Sequence, residues 1–170
     1  MNKVKKYLIA MGAAVLAFSM PVTAYAFGWK SGKETAEEKD YNFVYDKTTI
    51  ALGAEAAPVL QALGTPEKTF EQDSCAYQGK DKVYTYKGFE VSTYPANGKE
   101  CIASVYFLDN TAVTPEGIKI GSKEQDIINT YGKADKEEYG IYHYISGKSE
   151  LVIYTTNQVV DAVEYLIVTK

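Results

Sequence analysis

The chain has 170 residues, of which 46% are hydrophobic and 24% charged, and its formal net charge at pH 7 is −4. That balance excludes a disordered acidic tail, a collagen-like fibre and a multi-span membrane protein. The sequence contains no arginine, and a nucleic-acid binder needs a basic face, usually with arginines reading base edges, so that class is excluded too.

Residues 1–26 read as a signal peptide. Lys3, Lys5 and Lys6 form a positive start, Tyr7 to Phe18 an apolar run, and Ala24-Tyr25-Ala26 places small residues where a signal peptidase reads them. Cleavage before Phe27 follows. The alternative is a retained anchor, but the apolar run is too short to span and Pro21 interrupts it. No cysteine directly follows the run to carry a lipid. The mature chain is therefore expected to be secreted or extracytoplasmic, without stable membrane insertion. Loss of the three lysines shifts the net charge from −4 to −7, which disfavours an anionic membrane surface.

Residues 27–40 (FGWKSGKETAEEKD) are polar and lack an apolar period, and are expected to be a flexible leader. Tyr41, Phe43 and Tyr45 then alternate as in a strand. From there the sequence repeats itself. Ile50-Ala51-Leu52-Gly53 leads through Val59, Leu60 and Leu63 to Gly64; Ile118-Lys119-Ile120-Gly121 leads through Ile127, Ile128 and Tyr131 to Gly132. Both glycine pairs are eleven residues apart, with apolar residues between them marking one face of a short helix. Pro58 delays the first helix, Ser122 with Gln125 suggests a capping box, and Gly64 and Gly132 suit the C′ position.

Three tyrosine-rich extended runs follow each helix: Val83–Tyr86, Phe89–Tyr94 and Ile102–Leu108, then Ile141–Ile145, Leu151–Thr155 and Val159–Val168. Lys87-Gly88, Asn97-Gly98, Ser146-Gly147-Lys148 and Asn157-Gln158 supply the turns. The expected fold class is α+β: two tandem helix-plus-antiparallel-meander repeats forming a continuous sheet with helices on one face. The first repeat, with its N-terminal strand, spans residues 41–113 and the second 114–170.

The apolar-x-apolar-Gly start, the Leu63-Gly64-Thr65-Pro66 helix end and the doubled meander resemble the β-lactamase inhibitor protein (BLIP-like) fold and small outer-membrane assembly lipoproteins. Ser74-Cys75-Ala76-Tyr77-Gln78-Gly79-Lys80-Asp81 and Thr114-Pro115-Glu116-Gly117-Ile118 resemble an uncharacterised family of exported proteins from clostridia-type bacteria. The resemblance covers about residues 41–169 and implies a fold, not an activity. The cysteines lack the inhibitor's spacing, and the Lys87-Gly88 turn is too short to fill an enzyme's active site, so β-lactamase inhibition does not carry over.

Cys75 and Cys101 are the only cysteines. In an exported chain an isolated pair is expected to form a disulfide; a reactive free thiol is the alternative, with no basic residue beside Cys75 to favour it. His143 is the only histidine. A Ser-His-Asp triad would have to use it, and no Gly-x-Ser-x-Gly elbow exists. Transition-metal ligation lacks ligands, and Asp73, Asp81, Asp109 and Glu116 lack calcium-loop spacing and read as solvated turn residues. No cofactor is implied, and no residue reads as catalytic.

The tyrosines carry more information. Thirteen of the 15 lie in the mature chain; they suit strands and cores, and equally suit binding surfaces. If Phe89 and Val91 face the helices, Glu90, Ser92 and Tyr94 point away, and Tyr106, Tyr154, His143 and Leu166 are expected beside them. The chain thus reads as an exported non-catalytic protein-binding module, inhibitor-like or envelope-associated. Its partner is expected to be another exported or envelope protein, and its binding residues Tyr94, Tyr106, Tyr154 and His143. The alternative is an extracellular carboxylate-dependent hydrolase or carbohydrate-processing protein.

Overall fold

The computed structural model describes residues 40–168. The expected signal peptide and all of the expected leader except Asp40 lie outside these residues. The described part opens with β1 (Phe43–Tyr45) and β2 (Thr48–Ile50), a two-stranded hairpin, followed by α1 (Ala56–Leu63). Then come β3 (Lys68–Asp73), β4 (Lys80–Tyr86), β5 (Phe89–Ala96) and β6 (Lys99–Phe107). Helix α2 (Glu124–Tyr131) precedes β7 (Lys136–Glu138), β8 (Ile141–Ser146), β9 (Ser149–Thr156) and β10 (Val159–Ile167). Strands β3 to β10 form one antiparallel sheet in the order β3-β4-β5-β6-β10-β9-β8-β7.

This corrects the expected fold class. The structure is mostly antiparallel sheet and not a balanced α+β fold with helices on one face. Each helix has only eight residues and one buried side chain, Ala56 in α1 and Ile127 in α2. The reason lies in the glycine spacing itself: Gly53 and Gly121 (φ 75° and 91°) sit in the turns that precede each helix, and Gly64 and Gly132 (φ 81° and 75°) stop the helix. Eleven residues leave room for about two turns. Four strands, not three, follow each helix. The extra ones, β3 and β7, are exposed along their whole length and carry no apolar alternation, which is why the pattern hides them.

The two halves nevertheless share local geometry. Gly53 N–H donates to the Ile102 carbonyl and Ile102 N–H to the Ala54 carbonyl, at 2.8 and 2.9 Å. Gly121 N–H donates to the Val160 carbonyl and Val160 N–H to the Ser122 carbonyl, also at 2.8 and 2.9 Å. The expected Ser122–Gln125 capping box is replaced. The Lys123 N–H donates to Asp126 at 3.1 Å, while the Ser122 hydroxyl accepts from the Lys119 N–H. Pro58 is accommodated in the first turn of α1, where a helix has no carbonyl to offer its missing N–H.

One face of the sheet makes the core. Phe89, Val91, Ile102, Val105, Phe107, Tyr142, Tyr144, Leu151, Ile153, Val163 and Tyr165 point to it and are buried. The cover is shared: α1, α2, the β1–β2 hairpin and the segment between β6 and α2, through Ala112 and Ile118, all pack there. Phe43 is the hairpin's plug, with its ring centroid 4.9 Å from Phe107 and 5.1 Å from Phe89. Burying such a ring stabilises by roughly 1.5–3 kcal/mol. Asp40 holds the entry to the hairpin by accepting the Lys148 N–H at 2.7 Å.

Candidate functional site: the open sheet face

In an antiparallel pair, directly opposed residues share a face, so the register defines the side turned away from the core. Glu90 opposes Tyr106, Ser92 opposes Ser104, and Tyr94 opposes Cys101. Tyr106 opposes Glu164, and Leu166 opposes Ser104. Glu164 opposes Val152, Ala162 opposes Tyr154, and Leu166 opposes Glu150. Val152 opposes His143, and Tyr154 opposes Ile141. Tyr94, Tyr106, Tyr154 and His143 therefore all lie on one face, with Glu90, Ser92 and Leu166. The face also exposes Phe70 at 60% and Ile145 at 50%. No described element packs over it.

The four tyrosine and histidine positions do not form one cluster. Tyr94 sits near the far end of β5, opposite Cys101 of β6, and packs against Tyr77 from the β3–β4 loop, with centroids 5.5 Å apart. Tyr106 and Tyr154 share a cavity of about 480 Å³, also lined by Tyr139, Ile141, Thr156 and Asp161. His143 is next door, its Nδ1 2.6 Å from Glu150 Oε1, with both side chains about three-quarters buried.

Glu164 lies between these groups. Its carboxyl is pushed above the ordinary glutamate value by burial; the Tyr154 hydroxyl pulls the other way and the Glu150 charge adds to the rise. Tyr154 is raised in turn, by burial first and then by the Glu164 charge. Val152, though on this face, is fully covered. The middle of the face is thus a polar layer of His143, Glu150, Glu164 and Tyr154 over a dry patch, flanked by exposed apolar and aromatic side chains.

The expected disulfide is not formed. Cys75 is an exposed free thiol in the β3–β4 loop, and Cys101 a half-buried free thiol on β6 opposite Tyr94. The loop holding Cys75 is organised by its own bonds: Ser74 N–H donates to the Gly79 carbonyl at 2.9 Å, and the Ser74 hydroxyl accepts from Tyr77 N–H at 3.3 Å. Tyr77, rather than Cys75, is the residue it packs onto the face. Among the described residues, no group of three or more His, Cys, Asp or Glu side chains is placed to hold a metal ion. No helix among them is long and apolar enough to cross a membrane.

Sequence reasoning missed Tyr139, Glu150, Asp161 and Glu164. Tyr139 had a readable signal, an aromatic residue before the glycine of a hairpin turn. Asp161 had none, because its placement depends on a β-bulge, which shifts the register between Val160 and Ala162.

No family model matches the chain, and no curated protein matches it. Among solved structures, the chain is similar to a DUF4309 family protein (YjgB) from Bacillus subtilis, at 17% sequence identity and a TM-score of 0.39. That match covers 68% of this chain and 79% of the other.

Proposed function

We propose that the mature chain is an exported, non-catalytic binding protein that holds another exported or envelope protein against the open face of its sheet. The observation that carries this reading is the composition of that face. It holds Tyr106, Tyr154, Ile141, Ile145 and Phe70 beside a few carboxylates, with no described element covering it. A face this apolar is poorly suited to plain solvation. Tyr is a favoured anchor because it brings rigid area and a polar tip. The carboxylate-dependent hydrolase reading has less support. Glu150 is engaged by His143, and the face is broad instead of cleft-like.

The test is capture from the envelope and medium of the producing cell, with the mature chain as bait. Replacing Tyr106 and Tyr154 together by Ala is expected to weaken capture of a given partner by at least about thirtyfold. Equal capture by a double variant that remains folded by circular dichroism would remove this face from consideration.

A further inference from the structure

We propose that the cavity between Tyr106, Tyr139 and Tyr154 is a binding site for an organic cation, the lysine or arginine side chain of the protein that docks on the open face. The inference rests on the function proposed above and adds to it the chemistry the partner must present.

The cavity, about 480 Å³, is large enough to admit such a side chain, and three tyrosines, Tyr106, Tyr139 and Tyr154, are among its lining residues. Ring faces attract ammonium and guanidinium groups, and more strongly where the cation is desolvated. Asp161 is the charged residue of the lining, and no lysine among the described residues contributes to it. Thr156 donates its hydroxyl to one Asp161 oxygen. That bond leaves acceptor capacity on the carboxylate for an incoming donor. Glu164 and Glu150 lie on the same face close by, adding negative potential. An anionic ligand would meet only repulsion there, and the chain as a whole is acidic.

Two local irregularities converge on the cavity. Asp161 occupies the bulge of β10, where the register slips between Val160 and Ala162. Bulges of this kind re-aim a side chain. Tyr139 and Gly140 form the two-residue loop between β7 and β8, with φ of 54° and 79°. Such turns favour Asn-Gly or Asp-Gly, since a bulky residue at positive φ is strained. Here the position holds a tyrosine that is fully exposed, so it returns little packing to the fold. The turn is held in place all the same. The Gly140 carbonyl accepts both the N–H and the hydroxyl of Thr155, at 2.8 and 3.0 Å. An unsupported, strained aromatic on the rim of an acidic tyrosine cavity is what a cation clamp would require.

The test is a titration of the full mature chain by amide NMR with Nα-acetyl-lysine methylamide, and with the norleucine analogue as its uncharged isostere. The lysine probe is expected to shift residues around Tyr106, Tyr139, Tyr154 and Asp161, and to bind at least about tenfold more tightly than the norleucine probe. Tyr139→Asn and Asp161→Asn should each weaken it at least about threefold. Tyr139→Asn should at the same time raise thermal stability, because asparagine tolerates the turn. Equal shifts from both probes would overturn the cation site while leaving the face as an apolar docking surface. No shifts from either probe would also overturn it. The face itself then stands or falls on capture by the Tyr106→Ala/Tyr154→Ala variant, which does not depend on this charge.

Discussion

The carbonyl of Gly140 bridges to Thr155 through two donors, and a Cβ built on Gly140 would lie 2.9 Å from the Thr155 carbonyl oxygen. The glycine is needed both for its positive φ of 79° and for the space. Gly53 has the same φ requirement, but its Cβ would meet only the Ile167 Cδ1 at 2.9 Å, a movable side-chain end. A Cβ on Gly121, its counterpart in the other half, would meet no atom of the described residues within 4 Å beyond its chain neighbours. Alanine substitution should therefore rank Gly140 worst, Gly53 next and Gly121 mildest. The losses should run from about 1 kcal/mol for Gly121 to about 3 kcal/mol for Gly140. Urea unfolding of the three variants checks the order, and equal losses would show that backbone strain alone decides.

A second expectation concerns acid. Glu100 accepts from Lys82 at 2.7 Å, Tyr84 at 2.8 Å and Thr93 at 2.7 Å, on the core side of β4 to β6. Burial opposes its ionisation, yet the hydrogen bonds from Lys82, Thr93 and Tyr84 outweigh that and hold the carboxyl below its ordinary value of 4.5. The bond to Glu100 likewise raises Lys82 above 10.5. A depressed carboxylate stabilises the fold above its unfolded value and loses that contribution as the pH falls through the folded one; the raised lysine does so as the pH climbs. The network is thus intact from about pH 4.5 to about pH 10.5. Glu100→Gln should cost about 1–3 kcal/mol at pH 7. The gap to the parent should narrow well below pH 4. A gap independent of pH would mean that the bonds act through shape and not charge.

The thiols give a third test. Cys75 is exposed and Cys101 half-buried, and both are free. Under native conditions a maleimide should add to Cys75 faster than to Cys101, with two adducts after denaturation and no reductant. A chain lighter by about two hydrogens that takes no adduct would show the two joined.

The long alternating strands were legible in the sequence because one face is buried and the other is not: Phe89, Val91, Tyr142, Tyr144, Leu151 and Ile153 print a period of two. The same alternation placed Tyr94, Tyr106, Tyr154 and His143 on one side. The edge strands β3 and β7 were hidden because neither has a buried residue. Fold class was misread because helical spacing reveals a helix but not how little of the core it covers. Asp161 of the cavity and Glu164 beside Tyr106 were invisible for another reason. Their role comes from a bulge and from the pairing of β6 with β10, contacts between residues far apart in the chain.

The separation of Tyr94 from Tyr106 gives the last expectation. The two lie on the same face of β6 and its neighbour β5, with Tyr94 opposite Cys101 and Tyr106 opposite Glu90. Five positions along a strand is roughly 15 Å. Tyr94 has its own neighbour in Tyr77 and its own half-buried setting, which raises its hydroxyl pKa through burial first and the nearby Cys101 and Tyr77 second. Tyr106 and Tyr154 instead line one cavity. Sites farther apart than about 10 Å with no shared partner contribute additively, whereas neighbours on a common cavity couple by about 0.5–3 kcal/mol. In a double-mutant cycle on affinity for a captured partner, Tyr106→Ala with Tyr154→Ala should show such coupling. Tyr94→Ala with Tyr106→Ala should add within about 0.5 kcal/mol. Strong coupling of Tyr94 to Tyr106 would mean that a single rigid element of the partner spans the whole face, and the binding surface would then extend from the cavity to the Tyr77 loop.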